Sequence, residues 1–361
     1  MKISIQQVST YAGFCLSVLI NNILMYMIRK KTTKQLGSYV YLMLSFSIFE
    51  LVFSTVDVLN QPMILVNNGE FLFFSTNPLH LPKTVAKHFN MVNFACSGII
   101  ISLLAIHFFY RYMAVCNNQN WLRQFEMPKF FIWIAIFVIF GLEWYFATLF
   151  LGNTSDSVCE VDMDDLIDFY SVDPDVTVFI GIKYHVSTAF ETTFCGKSIV
   201  LAIILLKIVL ISCAIVTYCG YHTWREITIK KRAVSRRTLD MQKQFFRALV
   251  VQTLIPVLLL YLPLATMLLA PILMANLHKI DFIIQFAFVF YPILDPIAVL
   301  VIVRDYRRTI KNFVEEQVWR RSLRMLKCLL PWLVSERSVR SPLPSVNVHV
   351  PNTPVVPRFI Y

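Results

Sequence analysis

The sequence predicts an all-α membrane protein, a bundle of seven transmembrane helices with its N-terminus outside. Three observations carry that expectation. Of the 361 residues 57% are hydrophobic and only 15% charged, with a mean hydropathy of +0.61, which is too apolar for an ordinary soluble domain. Seven apolar runs reach the length of about 20 residues that a hydrocarbon core of about 30 Å requires. The cations cluster on every second connection between those runs.

The runs are expected at residues 8–28, 39–66, 88–112, 130–151, 198–221, 247–274 and 281–303, together one domain over residues 8–303 behind a short outer segment 1–7. The first is long enough to span and lacks a small-residue cleavage site, so it reads as a retained helix. It ends at Arg29, Lys30, Lys31 and Lys34; the second begins beyond them and carries Glu50 and Asp57. The third closes on His107 and the Tyr110-Arg111-Tyr112 triplet. Arg123 and Lys129 precede the fourth, and the fifth runs into Arg225, Lys230, Lys231, Arg232, Arg236 and Arg237. Pro256 and Pro263 interrupt backbone bonding in the sixth, Pro292 and Pro296 in the seventh. These cation-bearing connections all fall on one side. The opposite loop, residues 152–197, is acidic. The positive-inside rule therefore puts the N-terminus outside, and the net charge of +11 reads as an orientation signal and an attraction to membrane lipid, with no nucleic acid as partner.

The acidic loop holds a sequon at Asn153 and two cysteines, Cys159 and Cys195, in an oxidising location where a loop-internal disulfide can form; sequence alone leaves the pairing open. Residues 304–333 mix cations with spaced Ile, Leu and Phe, as in an amphipathic helix on an anionic inner leaflet, with Cys328 a weak candidate for acylation. The proline- and serine-rich segment 334–361 has the composition of a disordered tail.

An ionisable group at mid-bilayer costs on the order of 3 kcal/mol, so each one needs a reason. Counting helical rise from the inner ends puts Glu50 roughly 16 Å, Asp295 roughly 12 Å and Asn22 roughly 9 Å deep, one polar layer to which Pro296 is adjacent. Glu143 and Lys207 both come out roughly 20 Å above the inner side on neighbouring helices, an expected ion pair. No HExxH, GxSxG, phosphate-cradling glycine loop or metal-spaced cysteine pair occurs, which argues against an enzyme, a metal site or a cofactor. Only nine glycines and no repeated halves argue against a transporter.

The stretches QLGSYVYLMLSFSIFELVFSTVDV, AIHFFYRYMAV, QKQFFRALVVQTLIPVLLLYLP and FYPILDPIAVLVIVRDYRRTI, in that order, closely resemble nematode chemoreceptors of the Str class of serpentine receptors, with the Srj class its nearest relative. The resemblance covers about Lys31 to Ile310. It implies a G protein-coupled receptor of rhodopsin-like architecture in the plasma membrane, by family the ciliary membrane of chemosensory neurons. Its partners would be a small odorant and a heterotrimeric G protein.

By the same resemblance Arg111 matches the arginine of the Asp-Arg-Tyr motif, with Tyr110 in place of the acid. Glu50 matches the second-helix acid, Asp295-Pro296 the seventh-helix Asn-Pro pair, and Tyr261 with Pro263 the sixth-helix hinge. Tyr110, Arg111, Tyr112, Lys243 and Arg247 are then the coupling residues. With the acid missing, the resting partner of Arg111 is expected to be a hydroxyl, a carbonyl or a distant carboxylate such as Asp240. Helical spacing upward from Arg111 picks out Asn90, Asn93 and Ser97 as ligand-facing, together with Tyr261, Leu264, Gln285 and Phe288. The competing reading is a ligand-gated seven-helix channel of the insect odorant-receptor type, which has the opposite orientation.

Overall fold

The computed structural model of the protein describes residues 2–31, 39–152 except 68, 172–187 except 174, 192–229, 250–275 except 252, and 281–316 except 314, with isolated positions at 167, 170, 240, 243, 246, 247 and 277. Asn153, Cys159, Cys328, the cations 230–237 and the tail 334–361 lie outside these residues. The chain divides into residues 1–307 and 308–361. In the second unit residues 308–313 are helical and Lys311 pairs with Glu315 at 3.7 Å.

Among the described residues, seven helices of membrane-spanning length and apolarity lie in the first unit. They are α1 (Lys2–Lys31), α2 (Tyr39–Asn60), α3 (Lys83–Val115), α4 (Phe130–Leu151), α5 (Gly196–Ile229), α6 (Thr253–Leu273) and α7 (Asp281–Ile302). The most deeply buried is α3, which packs against α2, α4 and α5, while α1 lies against α2 and α7. Glycines set the closest of these contacts. A Cβ on Gly98 would come within 2.9 Å of the Trp144 ring, and one on Gly141 within 2.4 Å of Ile99, so α3 and α4 interlock through mutual knobs and gaps. In α6 the prolines leave a π-helical turn, Val257–Tyr261, just before Pro263.

The second helix is shorter than expected. It stops at Asn60, and residues read as its outer end form β1 (Pro62–Asn67), which pairs antiparallel with β2 (Glu70–Ser75), itself paired with β3 (Val178–Lys183) from the long acidic loop. Pro62 starts the strand, and Gly69 at φ +78° makes the turn between β1 and β2 that an L side chain resists. Every residue of β1 and β2 is buried, yet the alternation is plain. Ile64, Val66, Phe71, Phe73, Ile180 and Ile182 face the helical core; Met63, Leu65, Leu72 and Phe74 pack on Val172, Tyr170 and Phe179. The sheet is thus a two-faced cover on the end of the bundle that the charge rule assigns to the outside. A second small ribbon, β4 (His185–Ser187) with β5 (Thr192–Phe194), leads into α5.

Side chains pin the cover to the helices. Glu70 and Lys183 form an ion pair at 2.5 Å across β2 and β3. The Tyr170 hydroxyl donates to the Ile64 carbonyl at 3.1 Å and that of Tyr184 to the Leu268 carbonyl at 2.9 Å. Burial pushes both phenols above their ordinary pKa, with Asp281 adding to the shift at Tyr170, so each remains a donor throughout the physiological range.

Candidate functional site: a covered chamber and an arginine clasp

Directly beneath the sheet lies a closed chamber of about 20 Å³, lined by polar Asp57, Asn93, Ser97 and Gln285 and by apolar residues that include Phe53, Phe94, Met267, Phe288 and Val289. Its roof is Pro62, Ile64 and Phe73 of the sheet. That volume is close to what one water molecule needs. Anything larger must displace the roof or part α6 from α7. The Asp57 carboxyl faces the side-chain amide of Asn93. Gln285 donates its Nε2 to the Pro62 carbonyl, which also accepts from Gln6 of α1 at 2.6 Å, so α1, α7 and the sheet meet at one backbone oxygen.

Of the seven positions expected to face a ligand, Asn93, Ser97, Gln285 and Phe288 line this chamber. Three do not. Asn90 accepts from Asn60 at 2.8 Å and donates to the Phe73 carbonyl at 3.1 Å, fastening β2 and the end of α2 to α3. The Tyr261 hydroxyl bonds Ser212 at 2.7 Å, and Ser212 in turn donates to the Ile101 carbonyl at 2.8 Å, so Tyr261 knits α6 to α5 and α3. Leu264 is packed in the core. A helical period places these residues on the interior side but does not say which interior neighbour they meet. Asp57, whose place near the outer end of α2 left a ligand vestibule as one of its possible surroundings, also lines the chamber; the three roof residues were outside the expectation, because residues 62–66 read as the end of a helix and the strand they form with Phe73 was not anticipated.

Below the chamber, Glu50 of α2 and Asp295 of α7 are both buried and face each other. The asparagine beside them is Asn21, not Asn22. Asn22 is exposed and its side chain bonds back to the Val18 carbonyl of its own helix, at 2.7 Å. Adjacent helical positions differ by about 100°, so one residue decides which asparagine enters the bundle. The backbone shows what Asn21 does there. Pro296 has no N–H to give the carbonyl four residues earlier, Pro292, and Asn21 Nδ2 supplies that carbonyl at 3.0 Å. Asn21 also donates to Ser17, which accepts from Ser54 of α2 at 2.7 Å.

At the inner end Arg111 meets a group absent from the sequence expectation, the ring of Tyr39. The guanidinium carbon sits 3.8 Å from its centroid. Tyr110 stacks on the same ring at 5.3 Å and meets Phe125 edge-on at 4.9 Å. His107 packs edge-on to Tyr39 and Phe46 and bonds the Leu42 carbonyl at 3.2 Å. Tyr112 turns to Tyr218 and His222 of α5. Val115 and Ile227 close against Phe246, with Lys243 half-buried and Arg247 exposed on either side of it in sequence. An arginine at a helix end, an unusual residue before it, and a tyrosine opening α2 were each visible in the sequence; that the three stack was not.

Glu143 and Lys207 form an ion pair. Cys195 is disulfide-bonded, while Cys15, Cys96, Cys116, Cys213 and Cys219 are free.

A seven-helix bundle with an interior chamber near one end and an arginine clasp at the other is the form of a membrane receptor. Its fold resembles that of squid rhodopsin, whose crystal structure superposes with a TM-score of 0.56 at 12% identity over 94% of this chain and 91% of that one. The sequence matches the family described as serpentine type 7TM GPCR chemoreceptor Str over residues 6–311, and the chain belongs to that family. It is 29% identical over 302 residues to serpentine receptor class r-10 of Caenorhabditis elegans, covering 83% of this chain and 87% of the relative. To G-protein coupled receptor str-33 of the same organism it is 28% identical over 303 residues, 82% of this chain and 86% of that one. Serpentine receptor class J-38, also from Caenorhabditis elegans, is 26% identical over 304 residues, 82% and 90%.

Proposed function

We propose that this chemoreceptor takes a small odorant or water-soluble ligand in the chamber beneath the sheet and activates a heterotrimeric G protein at its inner end, in the plasma membrane of a chemosensory cell. The observation that carries this reading is α3 itself. Asn93 and Ser97 line the chamber on this helix and Arg111 ends it in the clasp, so one rigid element joins both places. The polar floor favours a small molecule that offers a hydrogen-bond donor or a positive charge to Asp57, with Phe53, Phe94 and Phe288 covering its apolar part.

The closed chamber describes a resting state. A ligand that fits only an expanded chamber stabilises the expanded form by its differential affinity, and the change needs no other drive. At the inner end, leaving that state means lifting Phe246 from Val115 and Ile227 and releasing Arg111 from Tyr39. Arg111 with Lys243 and Arg247 then presents a basic crevice to the G protein.

The test is a panel of volatile and water-soluble compounds applied to cells expressing the full chain, read by cAMP and calcium with and without G protein blockade. Staining an N-terminal tag on unpermeabilised cells separates this reading from the seven-helix channel. A cytoplasmic tag, or ligand-evoked current that survives blockade, would sink it.

A further inference from the structure

The Glu143–Lys207 pair is left over by the function proposed above. The two side chains bond each other, yet they remain 30% and 46% exposed. Counting about 1.5 Å per residue from Leu151 and Gly196, the outer ends of α4 and α5, the pair lies about 12 to 16 Å deep. Its surroundings confirm what that exposed side meets. Ile139, Phe146 and Phe150 on α4, and Ile203 and Leu210 on α5, are all exposed as well. The spacings 139, 143, 146, 150 and 203, 207, 210 hold one outward stripe on each helix. This is a lipid-facing surface with charges at its centre.

An ammonium has three donors and a carboxylate about four acceptor positions, and this bond uses one of each. Hydrocarbon can meet none of the remainder, and a charged group at that depth costs on the order of 3 kcal/mol on insertion scales. A pair needed only to join α4 to α5 would be better turned inward. Turned outward, it is half of a contact.

We propose that the α4–α5 face docks a second copy of this chain, with Glu143 of each copy beside Lys207 of the other about a two-fold axis along the membrane normal. Charge complementarity selects that partner. An acid and a base side by side become base and acid when the face is rotated by half a turn, so both cross-pairs form together and no like charges are opposed. A two-fold along the normal preserves depth, and two residues bonded to each other already share one depth. The same face carries a groove of about 750 Å³ between α3, α4 and α5, lined by Ile136, Phe140, Ile208 and Ile211 among others, which gives it apolar relief for packing.

The test uses the full chain with two different tags in cell membranes at low expression, with pairing read by resonance energy transfer and photobleaching steps. The wild type pairs. Glu143→Lys alone and Lys207→Glu alone each lower pairing about tenfold or more, because each homodimer then opposes like charges twice. Co-expressed, the two variants restore it, since one copy is positive at both positions and the other negative at both. A monomeric wild type, or pairing indifferent to the reversals, overturns the proposal. Should the reversals fail to reach the surface, Phe146→Cys and Ile203→Cys in a Cys15→Ser background are expected to cross-link between copies, and Val301→Cys on α7 is not. No cross-link at the first two positions also overturns it. The outcome is independent of whether a ligand or a G protein is ever identified.

Discussion

The two ends of the bundle are closed by different chemistry. The outer end is shut by backbone. A three-stranded sheet is packed on both faces and tied down by Asn60, Asn90, Gln285 and Tyr184, each bonded to a main-chain oxygen or to another buried amide. The inner end is shut by rings and one cation, with Arg111 and Tyr110 stacked on Tyr39, Phe125 edge-on to Tyr110, and Phe246 wedged against Val115 and Ile227. Buried hydrogen bonds are directional and cost about 1–3 kcal/mol each when one side is orphaned, whereas aromatic contacts slide at little cost. A structure built this way holds its outer chamber firmly and leaves its inner end freer to move, the division that the proposed function asks for.

The comparison can be broken from either end. The largest effect belongs to Arg111→Ala, which is expected to take ligand-evoked G protein activation to background while surface display stays at the wild-type level. Persistent signalling would remove the clasp from the mechanism. Asn90→Leu should act on the other end and in the other currency. It orphans the buried Asn60 amide and removes the extra bond to the Phe73 carbonyl, a loss of about 1–3 kcal/mol that thermal denaturation in nanodiscs and reduced surface display would both report. If Asn90→Leu leaves stability intact and alters only signalling, the outer end is not the rigid one.

Smaller effects sharpen the contrast. Tyr39→Leu removes a cation–π contact worth about 0.5–2 kcal/mol and should raise ligand-independent signalling about two- to tenfold, with Tyr39→Phe close to wild type because the ring is what Arg111 meets. Unchanged basal activity would show that the ring does not restrain the resting state. Smallest is a paired substitution between the two ends. Asn21→Ala should cost about 1–2 kcal/mol by stranding the Pro292 carbonyl, and Asn22→Ala less than about 0.5 kcal/mol. Equal costs would mean that Pro296 needs no compensating donor.

Much of the fold is legible along the chain because a bilayer imposes one-dimensional rules. An apolar length near twenty residues spans it, cations mark one side, and a charge inside must face something polar. Glu50, Asp295, Glu143 and Lys207 stand out by those rules, and the family motifs sit where the eye finds them. The sheet escaped because the rule for spanning helices overrode local turn chemistry. Residues 39–66 read as one long apolar run, although Pro62 begins a strand and Asn68-Gly69 between two alternating segments is a hairpin signal.

The sequence by itself determined the seven membrane-length helices, through composition summed over each run, and the family, through its motifs. Only the tertiary structure decided that Asn21 and not Asn22 enters the polar layer, that Tyr39 covers Arg111, that Asn90 and Tyr261 are fasteners, and that the Glu143–Lys207 pair faces outward. Each of those depends on rotation about a helix axis and on which neighbour lies across the gap. A turn of 100° or the choice of a packing partner leaves no trace in a window of sequence, because it is fixed by contacts between segments far apart in the chain.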